Sequence, residues 1–205
     1  ILESATTLTI RDNGRGMPTG KHPRFPETSA VEVIMTTLHA GGKFSGKTYA
    51  TSGGLHGVGA SVVNALSSTL TVEIARGKLL YRQEFSRGKP LTELKEIGAA
   101  PNRRGTTVTF TPDTEIFGEN AKFRAATLYR LAQSKAYLFA GVDSRWRCDP
   151  ALLVNDNTTP AQASLHFPGG LADALNDATC GKGLMISTPF AELAELDGQK
   201  FEWAI

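Results

Sequence analysis

Arg11-Asp12-Asn13-Gly14-Arg15-Gly16-Met17-Pro18 is the stretch on which the fold turns. It follows Thr7-Leu8-Thr9-Ile10, which reads as a strand, so Asp12 is a carboxylate at a strand end. The turn after it has too few side chains to fill the space beside that carboxylate. Alone, Asp-Asn-Gly is a common hairpin corner. A second stretch about forty residues on, Ser52-Gly53-Gly54-Leu55-His56-Gly57-Val58-Gly59, changes the reading. Its glycines let backbone approach an oxyanion, and it runs into Val58 to Leu66, which reads as a helix whose first amides collect an anion. A flat ring beside a carboxylate and a polyphosphate against amides together describe a nucleotide. Adenine presents an amine donor where guanine presents a carbonyl, so an ionised Asp12 pairs with adenine and repels guanine. One such contact, once buried, discriminates by a few kcal/mol, on the order of a charged hydrogen bond.

The chain has 205 residues, 40% of them hydrophobic, with 22 basic against 20 acidic side chains and a net charge of +2. That is material for one core-forming domain with a piece of another. The charge balance is too even to announce a nucleic-acid surface; if DNA is the ultimate substrate, its main binding surface lies elsewhere. No apolar run approaches the roughly 20 residues of a bilayer span, and no targeting pattern opens the chain, so a cytoplasmic address without membrane attachment is expected. Cys148 and Cys180 have neither zinc-ligand spacing nor the density of a disulfide scaffold.

Pro23 and Pro26 predict a loop over Lys21 to Glu27. Ser29-Ala30-Val31-Glu32 has the form of a capping box, and Ala30, Val33, Ile34, Thr37 and Leu38 repeat at helical spacing until Gly41-Gly42 stops them. Gly41 to Thr51 is polar, as a movable lid would be. Leu70, Val72 and Ile74 alternate as a strand, Arg76-Gly77-Lys78 turns the chain into Leu79 to Phe85, and Thr106 to Thr111 is a third strand ended by Pro112. Phe123 to Leu138 reads as a long helix, Val142 to Arg147 and Ser164 to Phe167 as strands, and Gly170 to Asn176 as a helix. Leu184 to Ser187 and Lys200 to Ile205, around Asp197-Gly198, read as a hairpin. Because helices and strands come in blocks, the expected fold is α+β, a mixed sheet with its helices on one face.

Asp-x-Gly-x-Gly followed by a glycine-rich lid resembles the GHKL ATPases. Leu38-His39-Ala40-Gly41-Gly42-Lys43-Phe44, the Ser52 to Gly59 stretch and Val62-Val63-Asn64-Ala65-Leu66-Ser67 resemble, more narrowly, the B subunits of bacterial type IIA topoisomerases. Ser86 to Leu91, Asn102 to Thr106 and Pro112 to Gly118 look more like the topoisomerase IV branch than gyrase. The resemblance implies a Bergerat-type two-layer α/β sandwich over residues 1–177 and the first hairpin of a transducer domain over 178–205. It implies that Asp12 binds adenine, with Gly16 and Thr106 helping to hold a bridging water. Met17 and Pro18 would line the ring pocket, although a core role suits Met17 equally. Gly53, Gly54, Leu55, His56, Gly57, Val58 and Gly59 would cradle the phosphates, which Lys43 and Tyr49 would reach. His56 suits a structural role as well as a catalytic one, and Gly105-Thr106 could be merely the start of a strand.

The family's catalytic glutamate and magnesium-binding asparagine stand on a helix that would precede Ile1, and its γ-phosphate lysine would follow Ile205. Glu3, Glu27 and Glu32 do not fit that motif. The chain therefore reads as a piece with its beginning and end removed, one that binds ATP weakly and does not hydrolyse it, with no catalytic or metal-ligating residue of its own. Its parent would use ATP and Mg²⁺, an ATP-dependent homodimer and a DNA-cleaving A-type subunit to pass one DNA duplex through another. A gyrase-type B subunit, or a nucleotide-gated clamp or chaperone-type module, is the alternative. Gly41 to Thr48 also satisfies the Walker A pattern. A P-loop, however, needs a strand before it and a helix directly after the Lys-Thr, whereas a capped helical pattern precedes this one and Tyr49-Ala50-Thr51-Ser52-Gly53-Gly54 follows. Arg103-Arg104 reads as a solvated turn, or as a salt bridge near the adenine mouth; Arg15 and Arg76 are similar candidates.

Overall fold

The computed structural model describes residues 1–40, 56–183, 188–196 and 199–205. These divide into two compact units, 1–122 and 123–205.

The first unit is built on one antiparallel sheet. Strands β1 (Leu8–Arg11), β4 (Ser67–Arg76), β5 (Leu79–Ser86), β6 (Lys89–Pro90) and β8 (Gly105–Pro112) lie in the order β1-β8-β4-β5-β6, and β7 (Lys95–Ala99) also pairs with β5. The period-2 pattern sorts the two faces. Leu70, Val72 and Ile74 of β4, with Phe85 of β5, are fully buried and form the core with Val31 and Met35 of helix α1 (Ala30–Thr36). Val108 and Phe110 of β8 pack on the same cluster, as do Ala60 and Val63 of helix α2 (Gly59–Ala65) and Met17. Each fully buried side chain of this size contributes about 1.5–3 kcal/mol, so this face fixes the strand register. The other face is polar. Thr109 of β8 meets Thr9 of β1 at 2.7 Å and Thr111 meets Thr7 at 3.3 Å, hydroxyl to hydroxyl, while Arg103 pairs with Glu73 of β4 at 3.0 Å.

Three local expectations need correction. The loop predicted over Lys21 to Glu27 contains a short antiparallel hairpin, β2 (Lys21–His22) with β3 (Phe25–Ser29). Pro26 is tolerated because a two-stranded ribbon leaves alternate backbone groups unpaired. Helix α1 stops at Thr36, well before Gly41: the Thr36 hydroxyl donates to the Glu32 carbonyl at 2.7 Å, Thr37 is extended, and Leu38 is exposed with no core to hold it in the helix. Only half of the capping box forms. Ser29 Oγ accepts from the Glu32 amide at 3.1 Å, but the Glu32 carboxylate receives the buried Gln83 amide at 2.8 Å. A short helix α3 (Thr114–Phe117) starts at Asp113, which caps it and accepts from Arg87 at 2.7 Å.

The second unit packs helix α4 (Ala125–Leu138) against the hairpin β9 (Ser144–Arg147) and β10 (Gln162–Leu165). Trp146 is its anchor: the ring is buried, meets Tyr129 edge-on at 5.8 Å, and donates from Nε1 to the Pro160 carbonyl at 2.8 Å. Tyr137 stacks on Phe167 at 4.0 Å and donates to Asp177 of helix α5 (Leu171–Thr179). Burial first, and then the Asp177 bond, push the Tyr137 phenol up to about 12. The terminal hairpin pairs β11 (Ala191–Leu196) with β12 (Gln199–Ala204), and Glu202 accepts from the Leu171 amide at 2.9 Å. Leu184 to Ser187, read as a strand from sequence, lies outside the described residues. The observed partner, Ala-Glu-Leu-Ala-Glu-Leu, has a three-residue repeat that hides its strand character.

Candidate functional site

Asp12 follows the last residue of β1, and the ladder between β1 and β8 brings it beside Thr106. The Asp12 amide donates to the Thr106 carbonyl at 2.9 Å, and the Met17 amide donates to Thr106 Oγ1 at 3.2 Å. Thr106, itself buried, thus clamps both ends of the turn. Within it, Asp12 Oδ1 accepts from the Gly14 amide at 2.8 Å. A carboxylate can accept about four hydrogen bonds, so this one does not exhaust it. The Asp12 side chain is exposed, ready for a partner in solution.

Two glycines make this approach possible. Gly105 has φ +106°, and a Cβ there would lie 2.0 Å from the Asp12 carbonyl oxygen and 2.9 Å from Asn13 Cα. Gly16 has φ +74°, with the Ala75 carbonyl oxygen 3.1 Å from where its Cβ would sit. Only glycine fits both conditions at once. Arg76, at the end of β4, supports the turn from outside: its guanidinium donates to the Gly16 carbonyl at 2.7 Å. Beside it opens a shallow hollow of about 490 Å³, whose lining includes Gly14, Arg15, Arg76, Lys78, Arg103 and Arg104. Five cationic side chains, of which Arg103 is paired with Glu73, suit an anionic or π-rich group. Arg103 is the salt-bridged alternative rather than the solvated turn, paired with Glu73 and bonded to Thr107 Oγ1 at 2.9 Å.

Of the residues expected on the phosphate side, His56, Gly57, Val58 and Gly59 are described; Lys43, Tyr49, Gly53, Gly54 and Leu55 lie outside the described residues. Gly57 has φ +62° and leads into α2, whose cap, Val58, makes no side-chain capping bond. The His56 carbonyl lies 2.8 Å from His39 Nδ1. Met17 and the start of α2 flank the same core cluster, which links the two halves. Met17 is half-buried and Pro18 exposed. Among the described residues no group of three His, Cys, Asp or Glu side chains could hold a metal ion. No helix among them is long and apolar enough to cross a membrane.

Sequence reading undervalued Gly105, treated as a possible plain strand start, and Arg76, one of several basic candidates. It missed the His39 contact altogether. The only signal for Gly105 was a glycine opening a strand where a β-branched residue would serve better.

Residues 2–116 match the family described as histidine kinase-, DNA gyrase B-, and HSP90-like ATPase. The B subunit of DNA topoisomerase 4 from Bartonella bacilliformis is 52% identical over 206 residues, covering 100% of this chain and 30% of that protein. Its counterpart from Caulobacter vibrioides is 52% identical over 208 residues, covering 100% and 29% respectively. The chain therefore spans about 30% of the length of these curated relatives. Among solved structures, the 43K ATPase domain of Thermus thermophilus gyrase B in complex with an aminocoumarin matches with a TM-score of 0.73 at 33% identity, covering 93% of this chain and 45% of that one. With the α+β fold and the Asp12–Thr106 turn in place, the chain belongs to the histidine kinase-, DNA gyrase B-, and HSP90-like ATPase family.

Proposed function

We propose that this chain is an adenine-nucleotide-binding part of a type IIA topoisomerase B subunit of the topoisomerase IV kind. The observation that carries the reading is the Asp12 turn: a carboxylate at a strand end, held beside a buried threonine by two glycines that no other residue could replace. Asp12 grips the adenine amine, and the Thr106 hydroxyl, which accepts from Met17, retains a hydrogen to donate to a water on the ring. Met17 supplies an apolar wall, and His56 to Gly59 present backbone toward the phosphates. Lys43, Tyr49, Gly53, Gly54 and Leu55 belong to the same proposed set. Residues 1–177 form the ATPase portion and 178–205 the beginning of a transducer.

In the parent, nucleotide binding drives dimerisation and, with an A-type subunit, passage of one DNA duplex through another in the cytoplasm. Magnesium supplies charge neutralisation for the phosphates. This chain's own residues bind and orient the nucleotide without turning it over: Glu32 is engaged by Gln83, and Glu3 accepts from Thr9 Oγ1 at 2.6 Å.

Calorimetric titration with ATP tests the reading. Asp12→Asn is expected to weaken binding about 10- to 100-fold, the size of a hydrogen bond to a charged group, while Lys47→Ala changes it less than about twofold. The opposite order would replace this reading with a P-loop. Magnesium-dependent ATP turnover by the purified chain would refute the division of labour.

A further inference from the structure

We infer that His39 is a positioning residue for the phosphate-facing backbone, aiming the Gly57 amide by holding the His56 carbonyl. The inference rests on the nucleotide reading above and deepens it.

His39 lies just past the end of α1 with φ +61°, in the left-handed region where a side chain costs about 1–2 kcal/mol. That conformation accompanies a ring placed 2.8 Å, through Nδ1, from the carbonyl oxygen of a residue 17 positions away. A carbonyl only accepts, so Nδ1 carries the hydrogen and donates. The His56 carbonyl and the Gly57 N–H belong to one planar trans peptide and point in opposite directions. A ring that fixes the oxygen therefore fixes the direction of the Gly57 amide. Gly57 has φ +62° and offers no side chain to hold it, and Val58 brings no side-chain cap. Among the described contacts, the His39 ring is what orients this peptide from outside its own segment.

The test compares adenosine with ATP on the 205-residue chain by ligand-observed NMR titration, because adenosine engages only the ring side. His39→Gly keeps the left-handed backbone and removes the donor; His39→Asn keeps both. For H39G, ATP affinity is expected to fall about five- to tenfold, as for one lost hydrogen bond, with adenosine affinity within about twofold of the parent. H39N should restore ATP binding to within about twofold. Should H39G unfold, H39N and H39L, alike in shape and both uncharged, answer the same question, since only asparagine donates: ATP affinity must fall in H39L and hold in H39N. Equal ATP affinity for H39G and the unaltered chain, equal losses for adenosine and ATP, or no recovery in H39N would overturn the inference while leaving nucleotide binding intact. An unaltered chain that binds neither ligand overturns the nucleotide reading and this inference with it.

Discussion

The two halves of the candidate site are held by different means. The Asp12 half is fixed many times over by the sheet: the β1–β8 ladder, bonds to the Thr106 carbonyl and hydroxyl, the Arg76 bond to Gly16, and a glycine contact too close for any Cβ. The His56 to Gly59 half hangs from one ring bond and the first turn of a seven-residue helix without a side-chain cap. A turn built into a sheet is preformed, whereas backbone held by one exposed side chain can be re-aimed. The largest expected effect breaks the first half. Gly105→Ala places a methyl against main chain that cannot swing aside, and φ +106° strains it further. Destabilisation of about 3 kcal/mol or more in urea unfolding is expected, combining overpacking with backbone strain, together with loss of adenosine binding. Parental stability in G105A would mean that the sheet does not grip the turn this closely.

Arg76→Ala probes the same half more gently. It leaves the Thr106 clamp intact and removes the outer support of the Gly16 carbonyl, together with a longer bond to the Arg15 carbonyl at 3.5 Å. Adenosine and ATP affinities should fall together, by about three- to tenfold, with little change in melting temperature. That joint loss is the counterpart of H39G, which is expected to cost ATP alone. If R76A spared adenosine, the turn would be self-supporting and the cationic hollow would act elsewhere.

The contrast also explains what the sequence could and could not disclose. The sheet was legible because Leu70, Val72 and Ile74 alternate over a strand long enough to declare its period, and the Asp12 motif was legible because glycine and aspartate do local work there. Helix α1 was overextended because spacing alone placed Leu38 on the apolar face, while the Thr36 hydroxyl and the extended Thr37 end the helix earlier. Gly105 and Arg76 were hard to rank because their importance depends on which strand neighbours which. The pairing of β4 with β8 sets Ala75 opposite Gly105 and so brings Arg76 to the Asp12 turn. No local pattern encodes that adjacency. The His39–His56 bond spans 17 residues and left no periodic trace. Of the last hairpin, the second arm was legible, with a turn expected at Asp197-Gly198, but Ala191–Leu196 was missed as the first arm because its local pattern misleads and only pairing with β12 defines it.

The smallest expected effect sharpens the second half. Ser61 of α2 is buried and donates from Oγ to the Val58 carbonyl at 3.0 Å, an oxygen that also receives the Val62 amide at 2.9 Å. Ser61→Ala therefore removes a redundant bond without orphaning the carbonyl. Its cost should be about 1 kcal/mol or less in urea unfolding, with ATP affinity within about twofold of the parent. Two anchors compete to explain how Gly57 is aimed: the His39 ring from outside, or the first turn of α2 from within. If S61A weakens ATP binding as much as H39G does, the helix sets the amides and the ring merely rests on them. If H39G alone does so, the phosphate-facing half is governed by a contact that lies 17 residues away in sequence.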